Sequence, residues 1–134
     1  MGIDIKKNSI DLGIVTTNGD AMLAFYRDTL GFKYERQIPM PIGEGIMHRM
    51  YCGESLIKLV VLPAAPDKAA PGGIGGATGY RYWTITISNL EETVAACERA
   101  GRTVAIAPRE VRPGVRIAMV EDPDGNWVEF LSLG

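Results

Sequence analysis

The sequence predicts an α+β fold made of two βαβββ modules within a single domain over residues 1–134. Three features carry that prediction. The order strand, helix, strand, strand, strand occurs twice. A Pro-, Ala- and Gly-rich stretch separates the two occurrences, a composition that suits a linker rather than a core element. Laying Asp11 on Tyr82 also lays Asn18 on Asn89, Ala24 on Ala95 and Lys58 on Glu129, and one deletion brings Gly31 onto Gly101. Identity between the halves is slight, so the repeated order is the signal, and a repeat this long is a duplicated module rather than a solenoid. Module one covers residues 9–63, the linker 64–79 and module two 80–133.

Each element has a local reason. Ile10 to Thr16 is apolar and β-branched, as a strand requires. Asn18-Gly19-Asp20 offers N-cap chemistry to an amphipathic helix over Ala21 to Leu30, which carries Met22, Leu23, Phe25, Tyr26 and Leu30 toward a sheet. Gly31 stands where a C-terminal cap belongs. Lys33 to Ile38, Ile46 to Cys52 and Ser55 to Leu62 are the remaining strands of module one. A loop over Met40 to Gly45 and a tight turn at Gly53-Glu54 join them. In module two, Tyr82 to Ile87 alternates as a strand, Ser88-Asn89 can cap a helix over Leu90 to Ala100, and Gly101 ends it. Thr103 to Ala107, Val115 to Val120 and Trp127 to Leu133 follow as strands, the last two joined by the turn sequence Asp122-Pro-Asp-Gly-Asn126.

Composition narrows the function. Hydrophobic residues make up 46% and charged residues 22%, enough apolar material for a packed core. A net charge of -2 argues against nucleic acid, which wants clustered Lys and Arg. No window approaches the roughly 20 apolar residues of a membrane span, and the N-terminus lacks a signal-peptide pattern, so a cytoplasmic location is expected. Cys52 and Cys97 form neither a CxxC pair nor a disulfide framework, and Cys97 reads as a small core residue. The linker glycines precede a strand and lack a Lys-Ser/Thr ending, which rejects a phosphate loop.

Two motifs carry a resemblance. Phe25-Tyr-Arg-Asp-Thr-Leu-Gly-Phe32 resembles the helix end of the first module of the vicinal-oxygen-chelate superfamily, which holds glyoxalase I, bleomycin-resistance proteins and extradiol dioxygenases. Glu121-Asp-Pro-Asp-Gly-Asn-Trp-Val-Glu-Phe130 resembles the signature that closes its second module. The resemblance spans Ile10 to Leu133. It implies sheets curled into a half-open barrel with helices outside and ligand on the concave face. It also implies a homodimer, in many relatives one whose pockets each take a module from both chains.

In metal-using members of that superfamily the ligands come from the first and fourth strands of each module. Counting from Phe25-Tyr26, the four seats here hold Asp11, Lys58, Tyr82 and Glu129, where His, Glu or Gln is usual. The only histidine is His48, off those seats. An ammonium would oppose a divalent ion at the same carboxylates by several kcal/mol at ~4 Å, so no metal and no cofactor is expected. An ion pair of Lys58 with Glu129 or Asp11, with Tyr82 beside it, is expected to replace the metal. One reading makes this charge cluster structural only. The other gives it acid–base chemistry, with a carboxylate as general base and Lys58 or Tyr82 stabilising an oxyanion or enolate.

Strand alternation extends the lining. Gly13 and Val15 follow Asp11, Leu56 and Val60 flank Lys58, Thr84 follows Tyr82, and Trp127 and Leu131 flank Glu129. That surface suits a mainly hydrophobic small molecule. Tyr82 and Trp127 can stack on a flat ligand or simply pack the sheet. His48, placed at the pocket rim, can act as an acid or base or point to solvent. Arg49, Arg81, Arg112 and Arg116 can meet a ligand carboxylate or only solvent. The expected activity is metal-independent isomerase, epimerase, lyase or cyclase chemistry on a hydrophobic carbonyl compound. The alternative is a non-catalytic protein that binds a small molecule or antibiotic, as bleomycin-resistance proteins do.

Overall fold

A computed structural model describes residues 2–134. Its strands form two four-stranded sheets of identical topology. Module one contains β1 (Leu12–Thr16), α1 (Gly19–Leu23), β2 (Lys33–Pro39), β3 (Ile46–Cys52) and β4 (Ser55–Val61), with sheet order β1-β4-β3-β2. Module two contains β5 (Tyr82–Thr86), α2 (Leu90–Arg99), β6 (Val104–Arg112), β7 (Val115–Glu121) and β8 (Trp127–Leu133), with order β5-β8-β7-β6. In each sheet the first and fourth strands run parallel and the rest antiparallel. The α+β duplication expected from the sequence is therefore the fold.

The differences are local. β6 runs on to Arg112, well past Ala107, with register shifts along its pairing to β7. The first helix is α-helical only to Leu23 and continues as a wider π-type turn over Ala24–Thr29. The wider turn accompanies burial of two adjacent aromatic rings, Phe25 and Tyr26. Asn18 and Asn89 occupy the N-cap positions, but neither side chain bonds its helix backbone. Thr16 Oγ1 instead accepts from the Asn18 N–H at 2.8 Å. Leu30, expected to face the sheet, is only partly buried against the core, as is Trp83.

One core serves both modules. Met22, Phe25, Tyr26 and Phe32 of module one pack with Leu90, Val94, Cys97, Val120, Val128 and Phe130 of module two. Trp83 sits against the Tyr26 and Phe32 rings, 6.2 and 6.0 Å between centroids. At the centre the Tyr26 hydroxyl donates to Asp122 Oδ2 at 2.7 Å, with both residues buried. Asp122 also accepts from the Asp124 and Asn126 backbone N–H groups and from the Asn126 amide. A buried polar group costs stability unless it is bonded, and this carboxylate has four donors. The Asp122 carboxylate is thus a turn and junction element, as its place in the turn sequence suggested. Beside it Thr16 Oγ1 donates to Asp124 Oδ2 at 2.6 Å, a second link between modules.

Both helices end alike. Gly31 and Gly101 each have φ of 79°, in the left-handed region that costs an L-residue ~1–2 kcal/mol. A Cβ at either would meet nothing within 4 Å, so the cost of replacing them is backbone strain alone. Gly31→Ala and Gly101→Ala should each lower unfolding free energy in urea by about 1–2 kcal/mol. A gain at either, as glycine replacement inside a regular helix gives, would show that the two helix ends are not equivalent.

Candidate functional site

Register sorts the side chains of each sheet into a helix-facing and a helix-free set. Ile57, Leu59, Val128 and Phe130 are at most 2% exposed and meet the helices. The alternate positions on the same strands carry Lys58, Trp127, Glu129 and Leu131. Gly13 pairs with Lys58, Val15 with Val60, Tyr82 with Trp127 and Thr84 with Glu129, so these groups share the helix-free faces. Those faces are not bare. Met47, Leu56, Val60, Ile117 and Met119 lie on them and are at most 8% exposed, as curled sheets allow when neighbouring side chains shield one another. Leu56 and Val60 are thus packed rather than open, while Val15 and Tyr82 are 53% and 48% exposed.

The four seats do not form the expected ion-paired floor. Asp11 is exposed and pairs with Lys7 at 2.7 Å. That hydrogen bond is the chief reason its carboxyl is held below the usual range, and the Lys58 charge adds only a minor pull. Glu129 accepts from the Thr84 hydroxyl at 2.6 Å, and Tyr82 stands next to Thr84's strand neighbour on the same face. Among the described residues, no carboxylate comes within 4.0 Å of the Lys58 ammonium. The expectation failed because Asp11 lies just before β1, within reach of the preceding segment and its Lys7.

Arg49 is a site residue that strand alternation alone did not single out. It lies directly opposite Lys58 on β3 and bonds Glu35 at 2.6 Å, with Arg36 3.7 Å from the same carboxylate. Counting outward from the Gly53-Glu54 turn reaches the Arg49–Lys58 pair, so the signal was present. Glu35 sits at a β-bulge between Tyr34 and Arg36, which no sequence count locates.

Trp127 carries the linker. The 3₁₀ turn Gly73–Gly75 rests on its indole, and a Cβ on Gly73 would fall 2.1 Å from the ring. The indole N–H donates to Glu121 at 3.2 Å. Arg81 is no mere surface residue: its guanidinium donates to the carbonyls of Gly73, Ala70 and Pro71 at 2.7, 2.6 and 3.2 Å. The linker is therefore a strap fastened to module two. The stacking surface expected of Trp127 is at least partly taken by it.

His48 faces away from this surface. Its strand partner is Leu59, a core residue on the helix side. There it lines a cleft of about 460 Å³ with Asn18, Asp20, Leu23, Gln37 and Val61 among its walls. Its Nδ1 is 2.8 Å from the Tyr34 hydroxyl. Burial, then the nearby Arg27 charge, favour the neutral imidazole, against the opposing pull of Asp20. Burial pushes the Cys97 thiol up to about 11 and raises that of Cys52, so neither is an activated nucleophile.

The model described as the glyoxalase/bleomycin resistance protein/dioxygenase superfamily matches residues 10–130. The chain belongs to that superfamily. Solved structures with the same fold include a glyoxalase family protein from Bacillus cereus, 17% identical over all of both chains with a TM-score of 0.81. Another, from Enterococcus faecalis, is 22% identical over 96% of each chain with a TM-score of 0.68. The trypanothione-dependent glyoxalase I of Leishmania major is 20% identical over 95% of this chain and 87% of its own, with a TM-score of 0.72. No curated protein sequence matches the chain.

Asp11, Lys58, Tyr82 and Glu129 offer two carboxylates, a phenol and an ammonium, a set short of the three or four donors that hold a divalent ion. No three His, Cys, Asp or Glu side chains converge among the described residues, and Lys58 places an ammonium at one of the four seats. Nor is any helix among the described residues long and apolar enough to cross a membrane.

The strap makes a direct prediction. Gly73→Ala should lift it from Trp127, giving red-shifted tryptophan emission, faster acrylamide quenching and faster proteolysis within residues 64–79. An emission spectrum and cleavage rate unchanged from the parent would mean that the strap does not rest on the indole.

Proposed function

We propose that this superfamily member binds a mainly apolar small molecule on its helix-free sheet faces, without a metal, as a cytoplasmic homodimer. The observation that carries the reading is the content of the four seats. Asp11 is engaged by Lys7, Lys58 brings a positive charge, and Tyr82 and Glu129 supply a phenol and an oriented carboxylate. The half-exposed Val15 and Tyr82 provide apolar contact beside those polar groups, the mixture that small-molecule sites use. Exposed apolar groups on an open face also favour a second copy that covers part of it, which is why a dimer is proposed.

One observation favours turnover over binding alone. The Thr84 hydroxyl holds Glu129 in a fixed orientation at 2.6 Å, as a general base needs. In that reading Glu129 takes a proton from the carbon next to a carbonyl, and Tyr82 or Lys58 donates to the enolate oxygen. Returning the proton elsewhere gives an isomerase or epimerase, and loss of a neighbouring group gives a lyase. Without that step the protein is a binder of the bleomycin-resistance kind.

The test starts with elemental analysis of protein purified without chelator, followed by a thermal-shift screen of hydrophobic carbonyl compounds and antibiotics. No stoichiometric zinc, iron, nickel or manganese is expected, and at least one apolar compound should raise Tm equally with and without EDTA. Glu129→Gln should keep that shift within about a degree while removing any turnover of the same compound. An ion bound at Asp11 and Glu129 would contradict the metal-free reading.

A further inference from the structure

We propose that Lys58 is an anion subsite, so that the molecule taken on the helix-free face carries a carboxylate or similar anion on an apolar body. The inference rests on the ligand-binding reading of that face and adds the class of ligand. Its basis is the distribution of charge around Lys58. The carboxylates of these faces are engaged elsewhere: Asp11 by Lys7 at 2.7 Å, Glu35 by Arg49 at 2.6 Å with Arg36 at 3.7 Å, and Glu129, on the other sheet, by the Thr84 hydroxyl at 2.6 Å. Lys58 has no counter-ion within 4.0 Å among the described residues, and, unlike the exposed lysines, it is half-buried with Arg49 directly across the strand pair. Like charges directly opposite one another in a sheet oppose folding. An anion from outside the chain relieves that opposition and binds through the same term.

The surroundings leave room for a head group. Lys58's other strand partner is Gly13, and a Cβ there would touch nothing within 4 Å. The space over Gly13, on the same face as Lys58, is therefore open, with half-exposed Val15 two residues farther along β1. A head group at Lys58 and an apolar body along Val15 use adjacent features of one surface. Lys58 is half-buried, and a charge pair there is less screened than one in free solution.

A matched pair of fluorescent probes tests this on the whole protein. 8-Anilinonaphthalene-1-sulfonate carries the anion, and N-phenyl-1-naphthylamine has the same apolar body without it. The parent should bind both, the sulfonate more tightly, and added salt should weaken only the sulfonate. Lys58→Met should weaken the sulfonate about tenfold, in the range of a partly screened charge pair, and leave the neutral probe within about twofold. Lys58→Arg should restore sulfonate binding, and Arg99→Met, on the exposed side of α2, should change neither. Gly13→Ala, whose Cβ meets nothing within 4 Å, should also weaken the sulfonate by narrowing the head-group space. Equal sulfonate affinity in the parent and Lys58→Met, with the neutral probe still bound, would overturn the anion subsite alone. Failure of the parent to bind either probe would overturn the ligand-binding reading and the subsite with it.

Discussion

The structure depends on one buried hydrogen bond, from the Tyr26 hydroxyl to the Asp122 carboxylate. Tyr26 belongs to the π turn of module one, and Asp122 opens the turn before the last strand of module two. Burial is the chief influence on both groups: it raises the carboxyl of Asp122 and drives the Tyr26 phenol well above its usual value. Each is tolerable there because the other is present, and Asp122 has three further donors from its own turn. The bond therefore fixes the β7–β8 hairpin relative to the first helix. It sits within a core to which both modules contribute.

That arrangement commits one face of each sheet to the helices. The apolar positions of β1, β4, β5 and β8 that face the helices are committed to packing. Of the alternate positions on the same strands, Leu56 and Val60 are packed by their neighbours, while Val15, Lys58, Tyr82 and Glu129 stay outside the core. Asp11, just before β1, and Lys58, Tyr82 and Glu129 carry the polar groups of this surface. Lys58 and Arg49 stand face to face on β4 and β3, and the bond from Arg49 to Glu35 compensates one of the two charges.

Much of this was legible in the sequence because it follows from local rules. Alternation along β4 and β8 separated Ile57 and Phe130 from Lys58 and Glu129, and the glycines at 31 and 101 marked both helix ends. His48, placed at the pocket rim by the sequence reading, lies on the other side, which counting from Gly53-Glu54 would have given, since it falls opposite Leu59 rather than Lys58. Other features were not legible, because they depend on contacts distant in sequence or on backbone irregularity. The π turn has no pattern that distinguishes it from an α-helix. The bulge at Glu35 shifts a carboxylate toward Arg49, and nothing local requires it. The strap on Trp127 depends on Arg81 gathering three carbonyls of a segment whose composition reads only as flexible. Lys7 takes Asp11 because the chain before β1 lies close to it, a proximity that a strand count does not include.

The most direct test of this account is a double-mutant cycle on the junction. Unfolding free energies of the parent, Tyr26→Phe, Asp122→Asn and the double variant would give the coupling between the two side chains, free of each residue's other contacts. A coupling of about 1–3 kcal/mol, the value of a buried hydrogen bond to a carboxyl group, is predicted, with a single cooperative transition in every variant. Additivity within about 0.5 kcal/mol would contradict the account, and so would a Tyr26→Phe protein in which the two modules unfold separately.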